Sequence, residues 1–126
     1  MMHARTPRLA TVLVIDGDED SRTVYRPLLE ASGLEVLEAR DGTAGLSLAR
    51  EHVPDVVVTE LTLSGVDGFT LISQLRERLR DVVVVVLTAR RVPDDRDRAE
   101  RAGCTLFLEK PVPPQVLLGT VVSLLR

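Results

Sequence analysis

Five apolar runs of strand length recur along the chain: TVLVID at 11–16, LEVLEA at 34–39, DVVVTE at 55–60, VVVVVL at 82–87 and TLFLE at 105–109. They are rich in β-branched residues and mostly continuous rather than alternating, which is the pattern of strands covered on both faces. Segments with helical spacing lie between them. Asp20 is placed to cap a helix through Ser32 that ends at Gly33, Thr43 to His52 forms a second ended by Pro54, and Phe69 to Arg80 forms a third. Pro93 to Ala102 makes a charged fourth, ended at Gly103, and Pro114 to Leu125 a fifth. Pro27 falls inside the first and predicts a kink there or a later start. Strands and helices in alternation predict an α/β domain: an open, doubly wound, mostly parallel sheet with helices on both faces.

In such sheets ligands bind outside the carboxyl ends of the strands, near the point where strand order reverses. The last residue or two of each run are Asp16 after the first, Glu60 after the third, Thr88 after the fourth and Lys110 after the fifth. Any one of these is ordinary, because strand ends are solvated. Two carboxylates, a hydroxyl and an ammonium converging on one crevice make a set suited to a phosphoryl group: an acid as nucleophile or metal ligand, the lysine as counter-charge, the hydroxyl as donor. Lys110 is also the only lysine among 16 basic side chains, the others being arginine. A compact ammonium at that one position fits a site that needs a point charge.

Composition narrows the function classes. A chain of 126 residues has room for one core, and a net charge of −3 argues against general attraction to nucleic acid or to an anionic membrane. The longest uninterrupted apolar run, Val82 to Leu87, is far too short to span a bilayer, and residues 1–8 carry no apolar signal core, so a cytoplasmic location is expected. Cys104 is the only cysteine, which excludes an internal disulfide or a thiolate metal cluster. With aromatics at 2%, base-stacking platforms of the usual kind are not available. Five arginines between Ala89 and Gly103 are interleaved with acids and read as a solvated helix with local ion pairs. In QVLLGTVVSLLR, at 115–126, apolar residues occupy more than one stripe, so part covers the sheet and the rest is either core or a partner face. His52, at a helix end, needs no special role.

Taken in order and spacing, these motifs resemble the receiver domain of two-component response regulators over about Leu9 to Arg126. Segment PDVVVTELTLSGVDGF, Pro54 to Phe69, is similar to the family's stretch around its phosphate-accepting aspartate without a gap; VLTA, Val86 to Ala89, is similar to its switch-threonine strand; AGCTLFLEKP, Ala102 to Pro111, resembles its last strand with a switch aromatic and Lys-Pro; and VLVIDGDED, Val12 to Asp20, resembles its acidic-pair strand. The resemblance implies a flavodoxin-like sheet of order 2-1-3-4-5 with five helices, a receiver-like domain over 9–126 and a disordered tail over 1–8. It implies that Lys110 binds the phosphoryl group and precedes a cis peptide at Pro111. Thr88 would move toward the modified acid, and Phe107 would turn inward behind it. Protein partners, a sensor kinase or a downstream effector, would meet the face of helix four, strand five and helix five, which is also open to self-association.

Two positions depart from that pattern. Asp16 matches the first acid of the pair, but the second, usually a direct Mg²⁺ ligand, is Gly17, and the acceptor position holds Glu60. Sliding the strand to bring Asp18 into register would turn every side chain of Val12 to Ile15 to the other face. A metal set of Asp16, Glu60 and Thr62 is therefore weak, since Mg²⁺ demands near-octahedral geometry at short distances. Glu60 adds about 1.5 Å of reach, and a misplacement of about 1 Å can reduce a transfer rate on the order of 10²-fold. The longer side chain would instead pair with Lys110 and put its carboxylate where a phosphoryl oxygen would lie, as a built-in mimic; otherwise the site is degenerate and Glu60 merely neutralises Lys110. The expectation is a binding module rather than an enzyme, a phosphorylation-independent receiver. The alternatives are a working receiver accepting phosphate from a histidine kinase and, more remotely, a haloacid dehalogenase-like phosphatase suggested by DGD at Asp16 to Asp18. The phosphatase reading requires an acidic pair after the lysine, and the chain beyond Lys110 has no acid.

Overall fold

The computed structural model describes residues 9–126; the disordered tail expected over 1–8 lies outside them. Five strands, β1 (Thr11–Ile15), β2 (Glu35–Ala39), β3 (Val56–Thr59), β4 (Val83–Thr88) and β5 (Leu106–Glu109), pair in parallel in the order β2-β1-β3-β4-β5. The helices are α1 (Glu19–Ala31), α2 (Gly42–His52), α3 (Gly68–Arg78), α4 (Asp95–Ala102) and α5 (Pro114–Leu124). This is the flavodoxin-like arrangement and strand order expected from the sequence.

Alternation along each strand divides the core in two. Leu13, Ile15, Val57, Val84, Val86 and Phe107 pack against α2, α3 and α4, through side chains such as Leu46, Ile72, Leu75 and Ala99. Val12, Val14, Val56, Val58, Val85 and Leu87 face α1 and α5, through Tyr25, Leu29, Leu117 and Val121. Since both faces are covered, every residue of β1 and β3, and every residue of β4 after Val83, is buried, and the runs read as continuously apolar rather than alternating.

Two local expectations are corrected. The N-cap of α1 is Asp18, not Asp20: its side chain accepts from the N–H of Asp20 at 3.1 Å and from the hydroxyl of Ser21 at 3.0 Å. Asp20 lies in the first turn, where its charge still favours the helix N-terminus. The third and fourth helices also start and stop within a turn or less of their predicted ends, at Gly68–Arg78 and Asp95–Ala102. Pro27 does not delay the start of α1, which runs from Glu19 through it to Ala31.

Glycines set the loop after β3. A Cβ on Gly42 would stand 1.8 Å from the carbonyl oxygen of Val66, so the start of α2 and the 61–67 loop approach as only glycine permits. The same contact carries a hydrogen bond from the Gly42 N–H to the carbonyl of Ser64 at 3.1 Å.

Candidate functional site

Asp16, Glu60, Thr88 and Lys110 meet at the carboxyl edge of the sheet. Each of the first three follows or ends a strand whose register the parallel ladder fixes: Ile15 stands beside Thr59, and Thr59 beside Val86. Asp16 and Glu60 are buried, at 6% and 7% exposure, and Thr88 is fully buried, so each acid must find hydrogen-bond partners within the protein.

Glu60 finds three and one ion-pair contact. Its Oε1 accepts the Thr88 hydroxyl in a short hydrogen bond and the N–H of Leu61 at 2.7 Å. Its Oε2 accepts the N–H of Ala89 at 3.1 Å and lies 3.4 Å from Lys110 Nζ. A carboxylate offers about four lone-pair positions; three of those on Glu60 accept hydrogen bonds, and the Lys110 ammonium stands beside Oε2. Burial is the largest single influence on its pKa and works against ionisation, but the hydrogen bonds from Thr88, Leu61 and Ala89 and the charge of Lys110 together hold the carboxyl below its ordinary value.

Lys110 sits closer to Asp16 than to Glu60. Its Nζ donates to Asp16 Oδ2 at 2.7 Å and to Ser21 Oγ at 3.3 Å. The direct Glu60–Lys110 pair expected from the sequence is thus an ion-pair contact of second rank, and the main partners of Glu60 are Thr88 and two backbone N–H groups. Burial, the largest influence, would lower the Lys110 pKa; the hydrogen bond and charge of Asp16, followed by those of Glu60, raise it instead. The peptide after it, Lys110–Pro111, is cis.

The site does not fit Mg²⁺. Position 17 is a glycine with no ligand to offer, and Asp18 is committed to capping α1. Asp16 Oδ1 accepts the N–H of Asp18 at 2.9 Å, while Oδ2 is held by Lys110. The ammonium stands between the two acids, 2.7 Å from Asp16 and 3.4 Å from Glu60, and its single charge offsets one of their two. Thr62 is exposed, and among the described residues no group of three His, Cys, Asp or Glu side chains is placed to hold a metal.

Behind the acids, Phe107 is buried at 7% exposure in the core layer of α3 and α4. The guanidinium of Arg96 lies over its ring, 4.8 Å from the centroid. Thr88 links site and loop: its Oγ1 also accepts the N–H of Arg90 at 3.0 Å, and Arg91 donates to the carbonyls of Thr88 and Lys110. Arg22 steadies the opposite side, donating to the Asp16 carbonyl at 2.7 Å while paired with Glu38 at 3.3 Å.

Sequence reasoning missed Ser21, Arg22 and the N–H groups of Leu61 and Ala89. Backbone donors carry no residue-type signal, and Ser21 and Arg22 lie in the first turns of α1 with nothing in their spacing to mark them. The Ala89–Gly103 stretch also divides more finely than local ion pairing: Arg90 pairs with Asp95 at 2.8 Å, but Arg96 and Arg98 stack on Phe107 and Phe69.

Residues 12–122 match the model of the response regulator receiver domain. The polar-differentiation response regulator DivK of Brucella anthropi is 32% identical over 117 residues, covering 91% of this chain and 95% of that protein. Among solved structures, the chemotaxis response regulator CheY4 of Vibrio cholerae is 26% identical with a TM-score of 0.85, over 93% of this chain and 99% of that one. A response regulator receiver domain protein from Clostridium thermocellum is 29% identical with a TM-score of 0.85, over 93% and 94%.

Proposed function

The chain belongs to the response regulator receiver domain family of two-component signalling, and on that premise we propose that Glu60, rather than a phosphoryl group, holds this receiver in its signalling arrangement. One observation carries the reading: the buried Glu60 carboxylate takes the Thr88 hydroxyl and the Ala89 N–H while Phe107 is packed inside. For Thr88 and Phe107, those are the positions that the family resemblance assigns to the modified state.

The electrostatics support it. Asp16 and Glu60 together carry two negative charges against one on Lys110, so an incoming phosphodonor would meet a net negative pocket that has no metal ligand at Gly17. With three hydrogen bonds accepted and the Lys110 ammonium beside Oε2, Glu60 has little left to present to a phosphorus atom. The same contacts fix the carboxylate in place, and through Thr88 they fix the loop of Arg90 and Arg91.

The function is therefore signalling by contact, in the cytoplasm, with protein partners on the face of α4, β5 and α5, and without catalysis. Phosphorylation and phosphatase chemistry are the readings it displaces. With Mg²⁺ and acetyl phosphate, the intact mass of the chain should not change; an added phosphate that disappears in Glu60→Gln would sink the proposal. The chain has two phenylalanines, so fluorine-labelled Phe gives two resonances. Glu60→Gln should shift that of Phe107 and spare that of Phe69. An unmoved Phe107 would reduce Glu60 to a neutraliser of Lys110.

A further inference from the structure

Beside the loop that Glu60 steadies, a cavity of about 250 Å³ opens between that loop, α4 and β5, lined by Arg91, Val92, Arg96, Phe107 and Glu109 among others. From its contents we infer that this cavity receives a carboxylate side chain of a protein partner, seated beside an aliphatic residue. The inference rests on the proposed function, because the loop that walls the cavity is the one tied to Glu60, and it adds the chemistry of the partner.

The charges around the cavity are unequal. Arg90 is satisfied by Asp95 in a two-point contact at 2.8 and 3.2 Å, and Arg91 meets Glu109 at 3.1 Å. Arg96 differs: among the described residues no carboxylate lies within ion-pair distance, and its only polar contact is a long hydrogen bond, 3.4 Å, to the Phe107 carbonyl. Its guanidinium lies over the Phe107 ring, 4.8 Å from the centroid, which leaves the planar fork under-used at the cavity wall. Its side chain is thus already ordered, so less conformational entropy is lost when a carboxylate binds.

Apolar surface completes the recognition. Val92, 49% exposed, lines the cavity together with Pro93 and Phe107. An Asp or Glu next to Leu or Ile places its acid on Arg96 and its aliphatic neighbour on Val92. Glu109 and its pair with Arg91 close one side and disfavour a longer run of negative charge, such as a nucleic-acid backbone. The connection to Glu60 is short: Glu60 holds Thr88, whose Oγ1 accepts the Arg90 N–H and whose carbonyl accepts from Arg91.

The test uses two pools of short N-acetylated, C-amidated peptides, one with Asp or Glu beside Leu or Ile, the other identical but with Asn or Gln. Binding to the full chain is followed by fluorescence polarisation. The acidic pool should bind more tightly, with an affinity that falls as salt rises. Arg96→Glu should weaken binding by about ten-fold or more. Arg98→Glu, an equal charge change on the same helix but over Phe69, should leave it within about two-fold. Equal binding of the two pools, or equal loss in the two arginine variants, would overturn the inference. Displacement of the acidic peptide by a single-stranded oligonucleotide would do the same by assigning the cavity to nucleic acid. Glu60→Gln separates the two proposals: peptide binding that needs Arg96 but ignores Glu60 preserves the cavity and removes its control by Glu60.

Discussion

The hydroxyl of Thr88 is donated to Oε1 of Glu60, and both side chains are buried. Glutamine at position 60 keeps the shape but loses the charge and half of the acceptor capacity, and valine at position 88 removes the donor. Each single substitution should destabilise the fold by about 1–3 kcal/mol, because a buried polar group loses its partner. The two losses should not add, since the second removes an interaction already broken, and a double-mutant cycle in urea should give a coupling of about 1 kcal/mol or more. Additive losses would mean that the two groups are adjacent but energetically independent.

Gly17 is not required by the backbone. Its φ is not in the left-handed region, and a Cβ there would have its nearest neighbour, the Arg40 carbonyl oxygen, at an ordinary 3.5 Å. An aspartate can therefore be placed there without a clash. The double variant Gly17→Asp/Glu60→Asp restores the second acid and shortens the acceptor, and it should gain one phosphate mass with Mg²⁺ and acetyl phosphate. The natural sequence should not, and each single variant should gain less than the double. Mg²⁺ should likewise leave the melting temperature of the natural protein unchanged while raising that of the double variant, by mass action on the folded state.

Much of this site is legible in the sequence. Continuous apolar runs betray strands covered on both faces, and a polar residue ending such a run is conspicuous, so Asp16, Glu60, Thr88 and Lys110 could be grouped from the sequence. What could not be read was ranking by distance. Lys110 lies 2.7 Å from Asp16 and 3.4 Å from Glu60, and this difference decides that Glu60 answers chiefly to Thr88 and to backbone N–H groups. Asp18 and Asp20 are equally good caps by type, and only the chain path after Ile15 selects the first. The stacking of Arg96 on Phe107 joins residues from different elements, which no local pattern reveals.

The two shifted pKa values give opposite pH dependences. The Glu60 carboxyl is held below its ordinary value in the folded protein. The unfolded chain, near about 4.3, therefore takes up its proton first, and the stabilisation is complete above that pH and is lost as pH falls through the lower folded value. The Lys110 ammonium is held above its ordinary value. Its stabilisation is complete below the unfolded value of about 10.4 and is lost as pH rises through the higher folded value. Urea midpoints measured across the acid range should fall less steeply in Glu60→Gln than in the natural protein, and those across the alkaline range less steeply in Lys110→Met. Parallel acid limbs would show that Glu60 gains no net stabilisation of its charge on folding.

Two glycines in helices should respond to alanine with opposite signs. At Gly42, in the first turn of α2, the added methyl would stand 1.8 Å from the Val66 carbonyl oxygen and 2.7 Å from its carbon, both backbone atoms that cannot swing aside. The helix start must then move away from the 61–67 loop, stretching the Gly42-to-Ser64 hydrogen bond. Overpacking of this kind costs about 1–3 kcal/mol, more than the roughly 1 kcal/mol by which alanine favours a helix interior over glycine. At Gly119, inside α5, nothing lies within 4 Å of the new methyl. Only the helix preference remains, so Gly119→Ala should stabilise by about 0.5–1 kcal/mol. Chemical denaturation of the two variants tests both signs at once. Because the 61–67 loop follows directly from Glu60, Gly42→Ala should also shift the labelled Phe107 resonance, whereas Gly119→Ala should leave it in place.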